Sequence, residues 1–202
     1  MINFLISFLL FAFVCHQLFS LNSRFSRNKK VRSSVDNRYY YVKNRDNPQM
    51  ELESANTLAV INGKIGTLIE KLETSNYNTT QEQRDWVVNL KENYNPDSLS
   101  ETTTSEASHL NTFTINKGEK ISFCLRCRNC KTKQIEPINT LMFVAIHELA
   151  HVANKEEGHG AQFQKINKFL LNKAVENGLW RYQDYSESPE NYCNIVINSL
   201  PK

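Results

Sequence analysis

His147-Glu148-Leu149-Ala150-His151 places two imidazoles four residues apart with a carboxylate beside the first, the H-E-x-x-H pattern. On an α-helix, residues at i and i+4 lie on one face about one turn apart, so the two rings can share one metal ion. Glu148 adjoins the first ring, within reach of water at that ion, which suits it to act as a general base. A catalytic zinc takes three protein ligands and keeps one position open. His159 supplies a third imidazole just after Gly158, where a chain break can turn the backbone toward the metal. Of the five histidines, only His16 and His109 lie outside this set. Two histidines and a glutamate merely packed into an apolar helix would be costly to bury without partners. A purely structural zinc normally takes four protein ligands and favours cysteine.

The elements that must carry these groups can be read from periodicity. Leu141 to about Asn154 is apolar nearly all round, which predicts a central, buried helix. Ala161 to Asn177 predicts the following helix, with Phe163, Ile166, Phe169, Leu170 and Val175 inward and Gly178 at its stop. Upstream, Pro48 to Glu73 has near-helical apolar spacing, and Thr80 to Glu92 predicts a shorter helix around Trp86. Thr112 to Asn116 and Ile121 to Arg126 alternate apolar and polar residues about a Lys117-Gly118 turn, as a β-hairpin does. Trp180, Tyr182 and Tyr185 are expected to pack the core, with one tyrosine or His109 a candidate to stabilise an oxyanion. A strand is expected within Cys193 to Ile197.

Cysteine usage points away from a disulfide framework. The chain has five, Cys15, Cys124, Cys127, Cys130 and Cys193, an odd number that fits a reducing compartment better. The C-x-x-C-x-x-C run from Cys124 to Cys130 lacks a fourth ligand unless Cys193 folds back, so incidental thiols are the expected reading.

Ile2 to Leu21 contains no Asp, Glu, Lys or Arg. A helix of that length can cross a hydrocarbon core of roughly 30 Å. Residues 1–22 are therefore expected to be a transmembrane anchor rather than a cleaved signal peptide, which would carry a positive charge before the apolar run. Residues 23–47 then read as a basic juxtamembrane linker, with Arg24, Arg27, Lys29, Lys30, Arg32, Arg38 and Lys43 setting topology. The positive-inside rule puts residues 48–202 on the cytoplasmic side of a single-pass membrane protein. Asn78-Thr79-Thr80 is a glycosylation sequon that matters only for the opposite topology. A net charge of +3 is too small to argue for a nucleic-acid partner. With 202 residues, one domain follows the anchor.

Ile146 to Phe163, IHELAHVANKEEGHGAQF, resembles the active-site segment of zincin metallopeptidases of the SprT-like and WLM group, including membrane-anchored versions encoded by large DNA viruses. That resemblance implies an α+β zincin-like fold with a small antiparallel sheet, an active-site helix and a following helix. It carries His147, His151 and His159 over as ligands of one zinc ion and Glu148 as general base, with Phe163 the aromatic that follows the third ligand. Glu176 on the second helix is the alternative third ligand, as in gluzincins. The implied activity is hydrolysis of peptide bonds in a protein or peptide substrate, by water that zinc activates and Glu148 deprotonates. An extended substrate would pair along a strand near Ile121 to Arg126. Two rival readings are a silent zinc-binding scaffold and a protease acting on DNA-bound proteins. Peptide hydrolysis by wild type against Glu148→Gln separates the first; DNA-stimulated cleavage marks the second.

Overall fold

Tyr40 and Val42 are buried while Tyr39 and Tyr41 are exposed, and this two-residue alternation makes a half-buried strand out of a polar, basic stretch. The structure, a computed structural model, describes residues 28–74, 80–102, 112–115, 118–127, 133–193 and 195–201. Strands β1 (Asn28–Arg32) and β2 (Tyr39–Lys43) pair antiparallel, with Lys30 opposite Tyr41 and Arg32 opposite Tyr39. Strands β3 (Leu99–Glu101), β4 (Phe113–Ile115) and β5 (Lys120–Phe123) complete a five-stranded sheet in the order β1-β2-β3-β5-β4. β2 and β3 run parallel, as do β3 and β5, while β4 and β5 are antiparallel. The sheet is thus mixed rather than antiparallel throughout.

Helix α1 (Pro48–Thr74) starts where Asn47 Oδ1 accepts the Met50 N–H at 3.1 Å, with Pro48 leading the first turn. Its apolar stripe, including Leu58, Ile61, Ile65 and Leu68, is fully buried. Helix α2 (Gln81–Asn93) opens with a reciprocal capping box between Thr80 and Gln83 and buries Trp86 and Leu90. At Gly118, a Cβ would stand 2.6 Å from the Asn93 carbonyl oxygen, so the turn into β5 packs backbone to backbone on the end of α2. Helix α3 (Ile138–Ala153) is buried over most of its circumference, as its sequence predicts. Helix α4 (Ala161–Glu176) ends at Gly178, in the left-handed region at φ 66°, and the Leu179 N–H reaches back to the Ala174 carbonyl at 2.8 Å. A small antiparallel hairpin, β6 (Glu190–Tyr192) and β7 (Ile195–Ile197), closes the described chain.

Among the described residues, no helix is long and apolar enough to cross a membrane. The longest, α1, carries Glu51, Glu53, Lys64, Glu70, Lys71 and Glu73. The expected transmembrane helix at residues 1–22 falls outside the described residues, as do Asn78 and Thr79 of the sequon, Cys15 and His16. The single-pass topology, the cytoplasmic-side placement and the membrane as a partner are accordingly set aside. Lys29 and Arg38, two of the basic residues behind them, have other work, as does Arg45. Lys29 pairs with the buried Glu51 at 2.8 Å, Arg38 with Asp97 at 2.8 Å, and Arg45 with the buried Glu101. These contacts, with Val31, Tyr40 and Val42 beneath them, tie the expected linker into the sheet and onto α1.

A disulfide joins Cys124, just past β5, to Cys193 in the β6–β7 turn, and Cys127 is disulfide-bonded as well. The reduced-thiol expectation fails here because a pairing across 69 residues leaves no local trace in the sequence. A loop of that length constrains the unfolded chain by about 4 kcal/mol on the chain-entropy account. Cys193→Ala should therefore unfold at markedly lower denaturant concentration than the oxidised wild type. Coincident unfolding curves for the two would contradict this.

Candidate metal centre

The site is built on α3 and the turn that follows it. The rings of His147 and His151 project from one face of α3, with centroids 5.1 Å apart. Asn154 leaves the helix in an extended conformation, and its Oδ1 accepts the Glu156 N–H at 3.2 Å. Gly158 then adopts φ 77°, a left-handed conformation strained for side-chain-bearing residues. The reversal returns His159 to the face of α3. Its Nε2 lies 3.1 Å from His147 Nε2 and 3.1 Å from His151 Nε2. One nitrogen from each ring falls within 4.8 Å of the others, a cluster able to hold a metal ion.

Phe163, one turn into α4 and 1% exposed, packs beneath all three rings at centroid distances of 4.9, 4.4 and 4.7 Å. It limits how far the imidazoles can swing. Burial, reinforced by the neighbouring His151 and His159, pushes the His147 imidazolium down to about 3. Burial and His159 push that of His151 down to about 4. At neutral pH both rings are therefore uncharged and have a lone pair to donate, the form a metal requires.

Glu148 follows His147 on α3 and is 5% exposed. Burial lifts its carboxyl to about 7, against the opposing pull of a hydrogen bond from Thr114. Thr114 lies on β4, and its Oγ1 donates to Glu148 Oε2 at 2.6 Å. The sequence reading missed Thr114. Its signal was a hydroxyl on the inward face of the hairpin strand.

The donor set suits zinc. Imidazole nitrogens are borderline-soft ligands. Tetrahedral nitrogens bound at about 2.0–2.1 Å would stand roughly 3.3 Å apart, close to the separations seen here. The alternative ligand Glu176 pairs instead with Lys173 at 2.7 Å, at the far end of α4. Trp180 and Tyr185 are buried against Phe143, whereas Tyr182 is 60% exposed and not a core residue. His109 and Cys130 lie outside the described residues.

Two imidazoles on α3 and a third from the turn after it, with a buried carboxyl between the first two in sequence, mark a zincin-like protein. Residues 80–190 match the WLM domain family, and the chain belongs to it. That family is related to zincin-like peptidases. The chain is 33% identical over 190 residues to an uncharacterized protein of Acanthamoeba polyphaga mimivirus, an alignment covering 94% of this chain and 92% of that one. It is 39% identical over 83 residues to an uncharacterized protein of Invertebrate iridescent virus 3, covering 41% of this chain and 49% of the other. The corresponding figures for one of Invertebrate iridescent virus 6 are 40% over 81 residues, 40% and 44%. No solved structure matches the chain.

Proposed function

We propose that this chain is a zinc metallopeptidase that hydrolyses peptide bonds, with His147, His151 and His159 holding the ion and Glu148 serving as general base. The observation that carries the reading is the convergence of three imidazole nitrogens beside a buried carboxyl whose proton affinity is tuned near neutrality. Zinc held there would act as a Lewis acid toward water and the scissile carbonyl. Glu148 has one oxygen, Oε2, engaged by Thr114, which leaves Oε1 to take a proton from attacking water and return it to the departing amine. A carboxyl near pH 7 is suited to both transfers, since it is neither too weak a base nor too weak an acid.

The substrate strand expected near Ile121 to Arg126 moves to β4. β5 lies between β3 and β4, so its backbone is committed on both sides, and β4 is one of the two edges of the sheet in the described strand order, the other being β1. An extended peptide added along β4 would pass beside Thr114 and hence beside Glu148. The test is peptide hydrolysis by the full chain. Activity should stop on chelation and return with zinc. Hydrolysis that persists after complete metal removal would overturn the reading.

A further inference from the structure

We propose that Thr114 is a positioning residue for the reaction: its hydroxyl, carried by the edge strand β4, fixes the rotamer of Glu148. The inference rests on the peptidase reading above and deepens it. Among the described residues, Thr114 provides the one side-chain hydrogen bond that reaches the Glu148 carboxylate. At 2.6 Å the contact has the length of an O–H···O bond to a charged acceptor. Glu148 turns about three side-chain bonds, so a general base without such a partner would spend time in unproductive rotamers.

Threonine is well chosen for this work. Its branched Cβ restricts χ1, and such a side chain suits a strand. The strand is itself held by β5 on one side and by a hydrogen bond at its start. Thr114 lies opposite Ile121 in the β4–β5 register. Thr112, the residue just before β4, shares a 2.5 Å hydrogen bond with the buried Tyr192 hydroxyl. Tyr192 in turn donates to the Cys124 carbonyl at 2.9 Å, next to the Cys124–Cys193 disulfide. The segment from Thr112 to Thr114 thus joins the C-terminal hairpin, through Thr112, to the carboxylate, through Thr114. The edge offered to substrate and the orientation of the base are properties of one strand.

The test compares hydroxyl-bearing and hydroxyl-free side chains in the full chain loaded with zinc. Thr114→Val keeps the branched shape and should lower kcat about 10–100-fold, the size of a lost hydrogen bond to a charged group. KM, zinc content and thermal melting should stay near wild type. Thr114→Ser should recover most of kcat. Should the valine variant melt early, Thr114→Ser against Thr114→Ala gives the same contrast. Wild-type kcat in a hydroxyl-free variant, a loss confined to KM, or a serine variant as slow as its hydroxyl-free counterpart would overturn the proposal. A wild-type chain no more active than Glu148→Gln would instead overturn the peptidase reading on which it stands.

Discussion

Glu148→Gln is expected to lower peptide hydrolysis about 100- to 10,000-fold, the range general acid–base catalysis contributes, while retaining the metal. The substitution keeps the side chain's length and still offers an oxygen to the Thr114 hydroxyl. What it removes is the ability to take a proton. Stability should move the other way from activity. Burial raises the Glu148 carboxyl from 4.5 to about 7, so the folded metal-free chain favours its protonated form. That stabilisation is fully present below pH 4.5 and is lost as pH rises through about 7, where a buried carboxylate must be tolerated. The amide never ionises, so the metal-free glutamine variant should equal wild type near pH 4.5 and melt higher at pH 8. Paired thermal melts at the two pH values check this. A variant that is inactive and also less stable at pH 8 would show that the loss came from a damaged fold.

His147→Ala is expected to remove zinc binding and, with it, the stabilisation that zinc confers on the folded chain. An ion that binds only the native state stabilises it by about 4 kcal/mol when present at a thousandfold excess over its dissociation constant. Wild-type melting should therefore climb with added zinc, and the variant's should stay flat. In the apo state the alanine also removes a ring packed against Phe163 at 4.9 Å. A modest loss without metal and a large loss with it is the expected signature. A zinc-dependent upward shift of equal size in wild type and variant would assign the ion to another site.

Much of the centre is legible in the sequence because its spacing is local. An i, i+4 pair on an apolar helix can only lie on one face, and Gly158 announces the reversal that brings His159 back. Helices α1 to α4 follow from 3.6-residue periodicity over runs long enough to be unambiguous. The rest depends on partners remote in the chain. β1 and β2 look like a basic linker because only Val31, Tyr40 and Val42 face inward, and charges on and beside them (Lys29, Arg38 and Arg45) find partners at Glu51, Asp97 and Glu101. Nothing local reveals that β2 runs parallel to β3, that Cys124 meets Cys193, or that a threonine on β4 touches Glu148, 34 residues later. The apolar run of residues 2–21 satisfied a length and hydropathy rule, yet Lys29, Lys30, Arg32 and Lys43 of the basic flank that gave it a direction belong to a sheet.

X-ray absorption at the zinc edge of the full chain loaded with one equivalent of zinc tests the central claim most directly. Three imidazole nitrogens at about 2.0–2.1 Å, with no sulfur in the inner shell, is the predicted spectrum. Sulfur scatterers near about 2.3 Å, or failure to retain one ion per chain, would contradict it.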